Sequence, residues 1–194
     1  MDTVATPMDP SSRLELAGDG DLFEHLTLYC EAIGALLYAS MATRPDITYT
    51  VQALSQFCSK PSNSHWKAVK RIFRYLHGME DLGITYDDLN GCADIYVSGF
   101  SDADWGSSPI DWRSVSGYVF LLGGGAVAWS LKKQPTVALS SMEAEYMASS
   151  NATTQAIWLR NLLNELNFIQ PFPAELNLDN QSAIALASNP QFHA

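Results

Sequence analysis

The sequence predicts a mixed α/β chain of α+β type, in which a small helical region precedes a sheet flanked by helices. Three observations carry that reading. Apolar residues recur at helical spacing before about residue 80, and the period shifts toward two after residue 82. Three consecutive glycines, Gly123 to Gly125, then separate two β-rich runs, which is a strong hairpin signal.

Taken in order, residues 1–28 read as a flexible acidic leader, rich in Asp, Pro, Ser and Gly. Residues 27–42 predict a helix with an apolar stripe at Leu28, Ile33, Leu36, Leu37 and Met41, ending before Pro45 because the residue ahead of a proline is pushed out of the α region. Pro45 suits the first turn of a second helix carrying Ile47, Val51, Leu54 and Phe57. A third helix runs from about Ser64 to His77. Its spacing directs Trp66, Val69, Phe73 and Leu76 to the core and sets Lys67, Lys70, Arg71 and Arg74 in a basic stripe on the other side. That stripe is either a solvated face or a grip on phosphates.

Ile84-Thr85-Tyr86 reads as a short strand, and Ile95-Tyr96-Val97 leads a second toward Ser101. The hairpin joins 116–122 to 126–130. Helices are expected from Met142 to about Ser150 and from about Thr153 to Leu166. A strand at Glu175–Leu178 and a helix from Ser182 to Ala187 close the order. The second domain therefore occupies 91–194, after a helical region at 29–90.

At 194 residues, with 47% hydrophobic and 16% charged residues, the chain has an ordinary globular composition. No apolar run is long enough to span a membrane, and the N-terminus lacks the pattern of a secretory signal. Cys30, Cys58 and Cys92 are odd in number and lack zinc-site spacing, so they read as buried free thiols of an intracellular protein. The net charge of −10 argues against a nucleic-acid partner only as an average. Residues 1–31 hold seven acids against one base, which concentrates the negative charge in the leader.

Three acids form the candidate site: Asp102, Glu145 and Asp179. Carboxylates dispersed in sequence and gathered in space can hold paired Mg²⁺ ions against a phosphodiester. Ser140-Ser141-Met142-Glu143 matches a capping box, which gives Glu143 a structural task and leaves Glu145 to face inward. Asn180 can cap the last helix, which frees Asp179. Asp102 is preferred to Asp104 on the expectation that the strand ends near Ala103, but spacing alone leaves both open. A carboxylate-pair glycosidase would fit the acids and leave the basic helix unexplained.

These segments closely resemble the Pol polyprotein of copia-type LTR retrotransposons. The matching stretches are Ala32 to Tyr38, Ala42 to Ile47, His65 to Arg71, Ser101 to Gly106, Arg113 to Tyr118, Lys132 to Ser141 and Asp179 to Ala183. The resemblance implies that 29–90 is a reverse-transcriptase thumb or connection remnant. It implies that 91–194 is an RNase H-like domain with a mixed sheet of three antiparallel strands, helices and a fourth, parallel strand. Asp102, Glu145 and Asp179 then match metal-binding catalytic acids that use two Mg²⁺ (or Mn²⁺) ions to cut the RNA strand of an RNA–DNA hybrid, with Lys67, Lys70, Arg71 and Arg74 on the nucleic acid. The family continues beyond residue 194 into a segment with a fourth acid, so a C-terminally truncated, inactive binding or interaction module is the alternative. Upstream reverse-transcriptase domains of the same polyprotein are the implied partners, in a cytoplasmic virus-like particle or the nucleus, with no membrane. Tyr86-Asp87-Asp88 resembles a polymerase motif by accident of position, and reads as a strand end and turn.

Overall fold

A computed structural model describes residues 3–9, 14–16, 18, 21–86, 96–108, 110–170 and 172–189. The chain divides into two compact units, Met1–Ile84 and Thr85–Ala194. The boundary expected at 90/91 lies outside the described residues, as do Cys92 and Asp87-Asp88.

The first unit is helical. α1 (Leu26–Ala42) leads through a 3₁₀ turn at Pro45–Ile47 into α2 (Thr48–Ser55), and α3 (Asn63–Gly78) follows. Its core joins Tyr29, Ile33 and Leu36 of α1, Ile47, Val51 and Leu54 around α2, and Val69, Ile72 and Tyr75 of α3. The Tyr29 hydroxyl donates to the Leu54 carbonyl at 2.9 Å, so the buried phenol is satisfied. Arg44 pairs with Asp46 at 2.8 Å, and the Tyr75 hydroxyl donates to the same carboxylate at 2.9 Å, fixing α3 to the α1–α2 corner.

Two helical faces differ from the expected ones. In α1 the inward positions are Tyr29, Ile33, Leu36 and Ser40, while Leu28 and Met41 are exposed. In α3 the register is rotated: Ile72 and Tyr75 are buried and Phe73 is exposed. The Tyr75–Asp46 bond decides this, because a tyrosine can bury its ring only with its hydroxyl partnered. Cys30 is also exposed rather than buried, and Cys58 is half-buried.

α3 begins at a reciprocal cap. Ser62 Oγ accepts from the His65 N–H at 3.2 Å, and the Ser62 N–H donates to His65 Nδ1 at 3.0 Å. Because Nδ1 accepts, the ring proton sits on Nε2, which donates to the Glu15 carbonyl at 2.9 Å. The imidazole is fully buried and stacked on Phe57, and burial pulls its pKa below the ordinary histidine value. The residues expected as a flexible leader therefore contact this unit. Val4, Leu14 and Phe23 pack on its core, and Phe23 stacks on Trp66 at 4.9 Å.

The second unit is a four-stranded sheet ordered β3-β2-β1-β4, from β1 (Ser98–Asp104), β2 (Val115–Leu122), β3 (Gly125–Lys133) and β4 (Glu175–Asn177). β1, β2 and β3 are antiparallel and β4 runs parallel to β1. This is the mixed α/β class that the sequence predicts, in the arrangement of an RNase H-like fold. The hairpin turns on Gly123 and Gly124, with φ of 58° and 75°, the left-handed pair that a tight two-residue turn demands. No strand forms at 84–86; instead the Tyr86 hydroxyl donates to the Ala126 carbonyl at 2.9 Å.

α4 (Ser141–Glu165) is one continuous helix of 25 residues where two were expected. No proline or glycine interrupts it, and Ala152, at the expected break, is fully buried against the sheet. Ala144, Ala148, Ala152, Ala156, Leu159 and Leu163 are buried along its inward face, and the last four share a core with Phe120 and Val97. Phe120 lies across Gly99, where a Cβ would collide with the ring. α5 (Gln181–Ser188) follows β4.

The rotated face of α3 has a measurable signature. Ile72→Ala should destabilise the first unit by about 2–5 kcal/mol, and Phe73→Ala by less than about 1 kcal/mol. Urea denaturation followed by circular dichroism checks the order; the reverse order would restore the sequence-based face.

Candidate metal centre

The site is assembled from three element ends. β1 carries Asp102 and runs on through Asp104, so the strand does not stop near Ala103. Asp102 lies opposite Gly117 of β2. β4 pairs in parallel with β1 up to Phe100↔Asn177. Asp102 and Asp179 each follow two residues later, and the parallel register thus brings them level. Asn180 caps α5, its Oδ1 accepting from the Ala183 N–H at 3.0 Å, which leaves Asp179 outside the cap.

Glu145 arrives from α4. Ser140 is the N-cap, with Oγ accepting from the Glu143 N–H at 3.2 Å. Glu143 turns back as expected but takes the Leu139 N–H at 2.7 Å, one residue earlier than an ideal capping box. Roughly 200° around the helix from Glu143, Glu145 faces the sheet and is only 6% exposed. Gln134, at the end of β3, holds this helix start in place. Its side-chain amide donates to Ser116 Oγ at 2.8 Å and to the Ala144 carbonyl at 2.9 Å. The Trp105 indole donates to the Ala138 carbonyl at 3.1 Å, tethering the segment before α4.

Carboxylate oxygens of Asp102, Glu145 and Asp179 all lie within 4.8 Å of one another. The Ala103 N–H is shared between Asp102 Oδ1 at 2.9 Å and Glu145 Oε1 at 3.2 Å. Glu145 Oε2 is buried and has no hydrogen-bond partner. Burial pushes the Glu145 carboxyl up to about 7, with the charges of Asp102 and Asp179 adding to the rise and the Ala103 N–H opposing it. A buried acceptor without a donor, beside two further carboxylates, matches what a hard divalent cation requires. The donor set is all oxygen, which suits Mg²⁺ or Mn²⁺ over softer metals.

The sequence selected all three members of this cluster. It did not assign roles to Gln134, Trp105 or the Ala103 N–H, although all three residues lie in motif segments. A glutamine next to a proline gives no local sign of bonding a helix ten residues later. The basic stripe lies in the first unit and is not uniform. Lys67 and Lys70 are exposed, whereas Arg71 donates to the Thr6 carbonyl at 3.1 Å and to Thr6 Oγ1 at 3.0 Å. Arg74 is half-buried, with its Nε buried and unpartnered.

Over 191 residues, 98% of its length, the chain is 39% identical to the retrovirus-related Pol polyprotein from transposon RE2 of Arabidopsis thaliana. It is 40% identical over 166 residues to the corresponding polyprotein from transposon TNT 1-94 of Nicotiana tabacum. The chain is homologous to a segment of retrotransposon Pol polyproteins. It spans 13% and 12% of the length of those two polyproteins. A further relative, the secreted RxLR effector protein 161 of Plasmopara viticola, is 49% identical over 131 residues, which are 68% of this chain and 90% of the effector. No family model and no solved structure matches the chain. Among its described residues no helix is long and apolar enough to cross a membrane.

The raised Glu145 pKa sets a pH trend for the metal-free protein. The folded state holds the Glu145 proton more tightly than the unfolded state does. Its contribution is therefore greatest below the ordinary glutamate range and is lost as pH rises toward 7. In EDTA, stability of the second unit should fall between about pH 5 and 7, and Glu145→Gln should flatten that slope. Thermal melts across this range check it; an unchanged slope in the variant would remove Glu145 as its source.

Proposed function

We propose that the second unit is an RNase H-type nuclease region of a retrotransposon Pol polyprotein, which hydrolyses the RNA strand of RNA–DNA hybrids during reverse transcription. One observation carries the reading: three carboxylates converge within 4.8 Å of one another, and Glu145 among them keeps a buried oxygen that lacks a donor. On this reading Asp102, Glu145 and Asp179 hold Mg²⁺ or Mn²⁺, two ions in a complete site. When bound, such ions supply an activated water and stabilise the departing 3′-oxygen.

The chain's own residues have separate tasks. Asp102 and Asp179, both exposed, present oxygens to the surface where a phosphodiester can approach. Glu145 anchors the set from beneath, its Oε1 held by the Ala103 N–H. The Ser140 cap and the Gln134 bonds keep that anchor from moving. The first unit is assigned as the tail of the reverse transcriptase, with Lys67 and Lys70 free to meet phosphates. A hybrid would be recognised through its shape and the 2′-hydroxyls of its RNA strand.

A second reading is favoured by the effector relative, most of whose length this segment matches. The segment then acts apart from a polyprotein, as a non-catalytic module that binds nucleic acid or another chain. Cleavage of a labelled hybrid separates the two. The wild-type chain should cut in Mg²⁺, and Asp102→Asn should lower the rate by more than the 10–100-fold that loss of even an outer-shell partner costs. Hybrid binding without cleavage in either Mg²⁺ or Mn²⁺ would favour the module. Lys67→Ala with Lys70→Ala should also flatten the salt dependence of binding, by about 0.9 in slope for each phosphate no longer neutralised. An unchanged slope would remove the basic face from the interface.

A further inference from the structure

The connection between β1 and β2 holds Trp112 in an unfavourable conformation and does not bury its ring. Its φ is 57°, a left-handed value that bulky side chains rarely adopt, and its side chain is 73% exposed. Burial of the ring therefore does not repay the strain. Non-glycine residues held this way tend to mark functional positions.

The connection is firmly braced around it. The Trp112 N–H donates to the Ser108 carbonyl at 3.0 Å, and the Ser108 N–H donates to the Arg113 carbonyl at 3.2 Å. Lys133 Nζ reaches Ser108 Oγ at 2.9 Å and Asp111 Oδ1 at 3.2 Å, and Arg113 pairs with the same aspartate at 3.5 Å. The Gly106 N–H donates to Ser114 Oγ at 3.1 Å. A braced turn that presents an exposed indole is pre-organised for contact.

Its place is close to the carboxylates. Trp112 precedes Val115 by three residues, Val115 pairs with Asp104, and Asp102 is two residues along the same strand. At about 3.3 Å per residue plus one inter-strand step, the separation is at most about 22 Å. At about 3.4 Å per base pair, that is the length of about six base pairs.

Charge gives the indole its task. The second unit carries eleven acids and four bases, and two of those bases, Arg113 and Lys133, are already paired with Asp111. A polyanion on so acidic a surface needs contacts that do not rely on charge. Aromatic packing against sugars and bases is such a contact, and it tolerates any sequence.

Building on the nuclease reading, we infer that Trp112 is a substrate-positioning residue, its indole lying against the sugar–base edge of a nucleic acid held at Asp102, Glu145 and Asp179. Binding of a fluorescein-labelled RNA–DNA hybrid to the full chain tests it, by anisotropy at about 50–200 mM salt in the Asp102→Asn background, so that the strand stays uncut. Trp112→Gly should raise Kd about tenfold without changing the salt slope, and Trp112→Phe should recover most of the loss. The glycine variant should melt at or above the parent temperature, because glycine accepts this φ without strain. A glycine variant that binds as tightly as the parent overturns this inference and leaves the nuclease reading standing. One that melts lower and binds with an altered salt slope also overturns it, since the indole then serves the fold. A parent that binds no hybrid overturns the nuclease reading and this inference with it.

Discussion

The contact of the α4 alanine face with the sheet is the one on which the carboxylate cluster depends. Ala144, Ala148 and Ala152 bring the helix backbone closer to β1 and β2 than larger side chains would allow. Glu145 rides on that approach: it reaches the Ala103 N–H only because its helix lies low over the strand. The same geometry removes it from water. Close packing and a perturbed carboxyl are thus one fact seen from two sides.

The site is poised by opposed terms. Burial and two neighbouring carboxylates favour a protonated Glu145, while the Ala103 N–H favours the charged form. A cation would tip that balance at once, since it is attracted to all three oxygens together. The cluster is therefore held under electrostatic stress by bonds that lie outside it, namely the Ser140 cap, the Gln134 amide and the Trp105 tether.

Local chemistry was legible in the residues themselves, and long-range geometry only through the family resemblance. The glycine hairpin, the Ser140 and Asn180 caps and the inward turn of Glu145 follow from neighbours within a few residues, and each stands where the sequence places it. The face of α3 depends on Asp46, 29 residues from Tyr75, so apolar spacing could not tell Phe73 from Ile72. The parallel register that levels Asp179 with Asp102 joins strands far apart in sequence. The three acids could be named individually, but their convergence required that register. The left-handed turn at Trp112 has no sequence signal, because tryptophan is not a residue that such turns select.

The buried histidine and the buried glutamate make the two halves of the chain respond to acid in opposite senses. His65 spends both ring nitrogens on backbone partners, and a second proton would displace the Ser62 N–H from Nδ1. The first unit thus excludes a proton that the unfolded chain accepts near pH 6.5, and it loses stability below that value. Glu145 welcomes the proton that His65 refuses. Through these two groups, mild acid weighs against the helical half while easing the burial of a carboxyl in the other.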